Sequence, residues 1–81
     1  MKIYDYNGKK NISGSRIREA RRKIDLSQDD LAAKMQVEGI VIERDSISRV
    51  ELGTRFVPDY EVPVFAKVLK VSVEWLLGLE E

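Results

Sequence analysis

The 81-residue sequence contains neither cysteine nor histidine. Without cysteine the chain can form neither a disulfide framework nor a thiolate metal site, and a small cysteine-free domain suits the cytoplasm. Histidine is the commonest general base and metal ligand, and no acidic side chains are arranged for catalysis in its place. The composition therefore predicts a protein that is not an enzyme and that needs no metal or cofactor.

Long apolar runs and an excess of charge are also absent. No stretch approaches the roughly 20 apolar residues of a membrane span, and the first residues lack the apolar segment of a signal peptide. The length and the hydrophobic content of 43% predict one compact domain, too small to add a ligand-sensing domain.

The net charge of zero conceals an uneven distribution. Residues 1–55 carry 12 basic and 9 acidic side chains, whereas residues 56–81 carry 2 and 5. The densest basic segment is Arg16–Lys23. This asymmetry is compatible with a positive binding face for nucleic acid and equally with an ordinary solvated helix flank.

Apolar spacing and capping residues predict an all-α bundle of five helices. A sixth segment, residues 1–12, is expected to be an N-terminal arm. Its Asn7-Gly8 pair predicts either a type I′ hairpin or, because the second strand is polar, a disordered tail. If this arm has a function, we expect Lys9 and Lys10 to contact phosphates. The expected helices run from Ser13 or Ser15 to near Ile24, from the cap Ser27 to near Gln36, from near Arg44 to Gly53, from Tyr60 to Lys70, and from Val73 to near Leu79.

Three of the helix starts carry recognisable signals. Ser27-Gln28-Asp29-Asp30 resembles a capping box with aspartate in place of glutamate. Asp59 and Ser72 are the expected caps of the fourth and fifth helices. Pro63 lies at the edge of what a first helical turn tolerates, so the fourth helix can start later than its apolar pattern suggests.

The second and third helices together predict a helix-turn-helix. In the third helix Ile47 and Val50 are expected to face inward, with polar side chains on the opposite side. Arginine can donate two hydrogen bonds to guanine, and aspartate can accept one from cytosine. The polar side chains on that opposite side, which could make such contacts or be merely a solvated face, are Arg44, Asp45, Ser48 and Arg49.

The sequence resembles the Cro/repressor family of helix-turn-helix domains, which have the lambda-repressor-like fold. Four segments carry the resemblance in the family's order and lie within residues 13–77. They are Arg16-Ile17-Arg18-Glu19-Ala20-Arg21, Leu26-Ser27-Gln28-Asp29-Asp30-Leu31-Ala32, Ile47-Ser48-Arg49-Val50-Glu51-Leu52-Gly53-Thr54-Arg55 and Leu69-Lys70-Val71-Ser72-Val73-Glu74-Trp75-Leu76-Leu77.

The resemblance implies that the DNA bases are contacted by Arg44, Asp45, Ser48 and Arg49. It implies roles for residues outside the third helix as well. Gln28 and Arg55 match positions that contact the phosphate backbone, although Gln28 can also be a plain first-turn residue and Arg55 a surface charge. Arg21 and Glu51 match a structural ion pair between the first and third helices. Asp45 has a second interpretation, because it is a better N-cap residue than Glu43, which the resemblance places at that cap.

The chain departs from the compact motif in the turn before the third helix. Fourteen residues separate Ala32 from Ile47, and a sub-branch of the family has a similarly lengthened turn. We expect Ile40 and Ile42 to pack against the core and hold this turn. The alternative is an exposed lip that binds a partner.

These observations predict that residues 13–79 form a DNA-binding domain of a transcriptional regulator, acting as a repressor on a palindromic operator. A homodimer would place two recognition helices about one DNA turn apart. The alternative is a protein-interaction module, such as an antitoxin or antirepressor, with the same fold. The side chains expected at the dimer contact are Trp75, Leu76, Leu77 and Leu79, since they cannot all face one core.

Overall fold

The computed structural model describes residues 6–80, and these contain five helices and no strand. The helices are α1 (Gly14–Lys23), α2 (Gln28–Val37), α3 (Arg44–Leu52), α4 (Val62–Leu69) and α5 (Val73–Leu76). The predicted all-α bundle is confirmed. Helix α3 packs on α1 and α2, and α4 closes the other side against α1, α2 and α5.

One hydrophobic core joins all five helices and the turn before α3. Its side chains occur at the apolar spacing of each helix, so one face of each helix is removed from water. Phe65, Leu69 and Leu76 bring the C-terminal helices onto the α1–α3 unit. The buried hydrophobic residues are Ile17, Ala20, Leu31, Ala32, Met35, Ile42, Ile47, Val50, Phe65, Ala66, Leu69 and Leu76.

The start of α2 is the predicted capping box. The hydroxyl of Ser27 accepts a hydrogen bond from the backbone N–H of Asp30 at 2.9 Å, and the Asp30 carboxylate accepts one from the Ser27 N–H at 3.0 Å. These hydrogen bonds stabilise the ionised carboxylate and lower the pKa of Asp30. The box fixes where α2 begins, and therefore where its first side chains lie relative to α3.

Two predictions about the C-terminal helices are wrong. Asp59 does not cap α4, which begins at Val62 with Glu61 at the N-cap and with Pro63 in its first turn. Proline lacks a backbone N–H and is tolerated in the first turn of a helix but not in its interior. Pro63 therefore sets the late start of α4. Ser72 caps α5 as predicted, by accepting a hydrogen bond from the Trp75 N–H. That helix stops at Leu76 rather than near Leu79, because Gly78 turns the chain with a φ of 76°.

The lengthened turn between α2 and α3 is held to the core as predicted. Ile42 is buried and Ile40 packs partly against the same cluster. The Gln36 side-chain amide donates a hydrogen bond to the Ile42 carbonyl at 2.8 Å, which links the end of α2 to the residue before the α3 cap. Val37 and Val41, however, are 84% and 91% exposed.

The Asn7-Gly8 turn of the arm is present. Both residues have positive φ, 52° and 80°, as a type I′ turn requires, and Tyr6 and Lys9 exchange two backbone hydrogen bonds of 2.7 and 2.9 Å. The rest of the first strand of the predicted hairpin, residues 2–5, lies outside the described residues. Within residues 6–80, no helix has the length and apolar character needed to cross a membrane.

Candidate nucleic-acid interface

Helix α3 has one buried and one exposed side. Ile47 and Val50 are fully buried, whereas Arg44, Asp45 and Arg49 are exposed and Ser48 is half-buried. The inward and outward sides are those predicted from the apolar spacing. Packing on α1 and α2 therefore leaves a polar surface of α3 free for contact with another molecule.

The structure decides between the two interpretations of Asp45. Glu43 occupies the N-cap of α3 and makes no side-chain capping bond, and Asp45 is the second residue of the helix. Ile42 and Ile47 then occupy the N′ and N4 positions, and both are buried, as in a hydrophobic staple. Because Asp45 does not cap the helix, its carboxylate remains on the exposed surface.

The exposed side chains of α3 do not all line one cleft. Arg44 and Ser48 line an open cleft between α1, α2 and α3. Arg44 also reaches a neighbouring cleft that Asp45 lines, while Arg49 lies outside both and donates to the Ser46 hydroxyl at 3.3 Å. The guanidinium of Arg44 lies 3.3 Å from an Asp45 oxygen and 3.9 Å from an Asp29 oxygen.

The predicted ion pair between Arg21 and Glu51 is present and buried. Arg21 Nε donates a hydrogen bond to Glu51 Oε2 at 2.7 Å, and Nη2 donates one to Oε1 at 3.0 Å. The guanidinium therefore binds the carboxylate in a bidentate manner. The hydrogen bonds to Glu51 raise the pKa of Arg21, although burial alone would lower it. Arg21 also donates to the Leu26 carbonyl at 2.9 Å, which extends the contact to the segment before α2.

Gln28, predicted to contact phosphate, joins this buried network. Its side-chain amide donates a hydrogen bond to Glu51 Oε1 at 3.1 Å. Glu51 thus receives three hydrogen bonds, two from α1 and one from the first residue of α2. The network fixes the C-terminal half of α3 against both neighbouring helices, and a phosphate contact for Gln28 stays a prediction.

Arg55, also predicted to contact phosphate, is instead paired within the chain. Its Nη1 and Nη2 atoms donate to the two carboxylate oxygens of Glu61 at 2.9 and 3.3 Å, and Nη1 also donates to the Phe56 carbonyl. The Glu61 side chain is buried. This geometry favours a structural role for Arg55, in which it holds the loop after α3 to the start of α4, over the phosphate contact.

The N-terminal arm docks on the C-terminal end of α3, which the sequence did not indicate. The Lys10 N–H donates to the Gly53 carbonyl at 2.8 Å, and Lys9 Nζ lies 3.4 Å from the Leu52 carbonyl, where a cation is favourable. Lys10 Nζ lies 5.1 Å from the centre of the Phe56 ring. Both lysines therefore contact the protein, and the phosphate contact expected of them stays a prediction.

Asn11 is the central contact of this docked arm. Its amide donates to the carbonyls of Val50 and Arg55 at 3.0 and 2.8 Å, and its side-chain oxygen accepts a bond from the Gly14 N–H at 2.8 Å. A side chain at position 14 would clash with the Val50 carbonyl, so glycine allows α1 to approach α3 this closely. Asn11 thereby ties the start of α1 to the end of α3.

Two basic residues of α1 that received no individual role from the sequence line the same cleft as Arg44. They are Arg18 and Arg22, both exposed. Asp29 is an acidic member of that cleft. The signal in the sequence was their spacing of four residues, which places both on one side of a helix.

The predicted dimer residues are not equivalent. Leu76 is fully buried in the core, so its assignment as a dimer contact is wrong. Trp75 is half-buried and packs against that core. The centre of its ring lies 4.9 Å from Cζ of the Arg16 guanidinium. Leu77 is half-buried and Leu79 is exposed. An apolar contact made by the C-terminal segment would therefore centre on Leu79, which lies beyond the end of α5.

Compared with known proteins, the chain matches neither a protein-family model nor a curated sequence. The resemblance to the Cro/repressor family accordingly rests on the four sequence segments alone.

Proposed function

We propose that this protein is a cytoplasmic, sequence-specific DNA-binding regulator of transcription. Helix α3 acts as the recognition helix of a helix-turn-helix, and a homodimer acts as a repressor at a palindromic operator. The observation that carries the proposal is the division of α3 between a side fixed by the core and Glu51 and an exposed side with two arginines.

The exposed contacts of α3 are weak enough to be exchanged for DNA contacts. The pairs of Arg44 with Asp45 and with Asp29 are solvent-exposed on both partners. Such pairs contribute about 0–1 kcal/mol, whereas one bidentate contact between arginine and guanine discriminates by about 1–3 kcal/mol. Giving up the intramolecular pair for a base contact therefore costs little, and Asp45 is then free to accept a hydrogen bond from cytosine.

In vitro selection from random double-stranded DNA tests this function. The test variant is Arg44→Ala/Arg49→Ala, and the matched control is Lys34→Ala/Lys67→Ala, which removes two positive charges from exposed helix positions outside both α3 clefts. We expect the wild-type protein and the control to enrich the same palindromic motif and the test variant to lose it. A motif without symmetry would reject the dimer. Absence of enrichment at low salt by the folded protein would reject DNA recognition.

A protein-interaction module is the second candidate, because the end of α2 and the turn before α3 expose one apolar side chain each. Val37 and Val41 are almost fully accessible to solvent, although the isoleucines beside them pack on the core. An antitoxin or antirepressor would use such a lip to bind a protein. This function is favoured if the selection enriches no DNA and if a partner bound by the wild type is lost after Val37→Ser/Val41→Ser but retained after Arg44→Ala/Arg49→Ala.

A further inference from the structure

We propose that Arg18 and Arg22 form a binding site for phosphodiester groups, so that the DNA interface extends from α2 and α3 onto α1. The proposal rests on the proposed function, because the phosphates are those of the DNA that α3 recognises. It adds two contacts that neither the base-contacting nor the phosphate-contacting set contains.

The two side chains are placed together against their mutual repulsion. Arg18 and Arg22 lie one helical turn apart on the exposed side of α1, where like charges destabilise a helix slightly. Glu19 lies between them in sequence but pairs with Lys23 at 3.7 Å. Two phosphates, one bound by each guanidinium group, would offset this repulsion.

Arg18 and Arg22 also differ from the other arginines of residues 6–80. Each of the others makes a hydrogen bond or ion pair within the chain, through the groups Trp75, Glu51, Asp45, Ser46 and Glu61. Arg18 and Arg22 make none, so none of their donors is used within the part of the chain that the structure describes. A guanidinium presents its donors in a fork that fits two phosphate oxygens.

The surroundings of the pair match the backbone of DNA rather than a base. Both arginines line the cleft that holds Arg44 and Ser48 of α3, so a strand contacted by α3 passes close to them. In this cleft Arg44 is paired with the exposed Asp29, and the buried Arg21 and Glu51 neutralise each other, so the charges of Arg18 and Arg22 remain unbalanced there. Side chains that contact phosphate position a protein on DNA but do not select the sequence.

The test measures how the affinity for the selected duplex falls as salt rises. Each phosphate neutralised by the protein contributes about 0.9 to the slope of log K against log salt. We expect Arg18→Gln/Arg22→Gln to reduce that slope by about 1.8 and to enrich the same motif as the wild type. The matched control Lys34→Gln/Lys67→Gln should keep the wild-type slope, and Arg18→Lys/Arg22→Lys should keep most of it.

The outcomes separate this proposal from the proposed function. A wild-type slope in Arg18→Gln/Arg22→Gln, with DNA binding intact, would overturn the phosphate site and leave the function of α3 standing. A changed motif would also overturn it, since the arginines would then contact bases. A wild-type protein that binds no DNA would overturn both proposals. Because both side chains are exposed, thermal unfolding of each variant should match that of the wild type.

Discussion

The two ends of α3 each carry an ion pair, but their surroundings are opposite. At the C-terminal end, the side chains of Arg21 and Glu51 are 10% and 3% exposed. At the N-terminal end, those of Arg44 and Asp45 are 60% and 73% exposed. A buried charge without its partner is costly, whereas water replaces the partner of an exposed charge at little cost. The C-terminal end of α3 is therefore held in place, whereas its N-terminal end is available for a ligand.

The largest effect is expected at the buried end. Glu51→Ala removes the partner of Arg21 and leaves the guanidinium buried without a counter-ion. We expect the free energy of unfolding to fall by about 3–5 kcal/mol, measured by urea denaturation. The double variant Arg21→Met/Glu51→Leu should recover much of this loss, because neither charge is then left unpaired. A loss below about 1 kcal/mol in Glu51→Ala would contradict the structural role of the pair.

Asn11→Ala should produce the next largest effect. The change leaves the carbonyls of Val50 and Arg55 without a donor and the Gly14 N–H without an acceptor. Leaving partly buried polar groups unsatisfied should lower the free energy of unfolding by about 1–3 kcal/mol, as measured by urea denaturation. Asn11→Asp keeps the acceptor for Gly14, but it places a charged oxygen against the two carbonyl oxygens that Asn11 contacts. It should therefore be no more stable than Asn11→Ala. A wild-type stability for either variant would show that the arm does not hold α3.

The exposed end should respond in the opposite way. We expect Arg44→Ala to change the free energy of unfolding by no more than about 0.5 kcal/mol, because its ion pairs are exposed. The same variant should bind the selected DNA with a free energy less favourable by about 1–3 kcal/mol, measured by fluorescence anisotropy. A strongly destabilised Arg44→Ala protein would mean that this end of α3 is structural too.

The smallest effect concerns the start of α2 and depends on pH. Because the capping bonds lower the pKa of Asp30 in the folded protein, its carboxylate stabilises the fold above the ordinary aspartate pKa. That contribution is lost as the pH falls through the lowered value. Asp30→Ala should therefore be less stable than the wild type near neutral pH, and the difference should shrink in acid. Urea denaturation at neutral and at acidic pH measures this difference in the free energy of unfolding. Asp29→Ala is the control, because it keeps the capping box. A difference between Asp30→Ala and the wild type that does not change with pH would contradict this account.

The parts of the molecule that could be predicted from sequence are those with a periodic or local signal. The buried side of α3 follows from apolar spacing, and the start of α2 follows from Ser27 and Asp30 within one turn. The pair of Arg21 and Glu51 was expected only through the family resemblance.

The missed contacts join irregular segments that are distant in the chain. Asn11 reaches Val50 and Arg55 about forty positions away, and Arg55 reaches Glu61 across a loop. Such contacts leave no repeat in the sequence, so the pairing of Arg55 with Glu61 was not expected, and the phosphate role of Arg55 came from the family resemblance alone. The burial of Leu76 was missed because α5 was expected to be longer, with its apolar residues spread over more sides.

A titration of the ¹⁵N-labelled protein with the selected duplex, followed by amide chemical shifts, tests the central claim most directly. We predict the largest shift changes at residues 44–49 of α3, with smaller ones at the start of α2 and at Arg18 and Arg22. The amides of α4 should stay nearly unchanged. Changes confined to α4, α5 or the Val37–Val41 turn, or no changes at all, would contradict the assignment of α3 as the recognition helix.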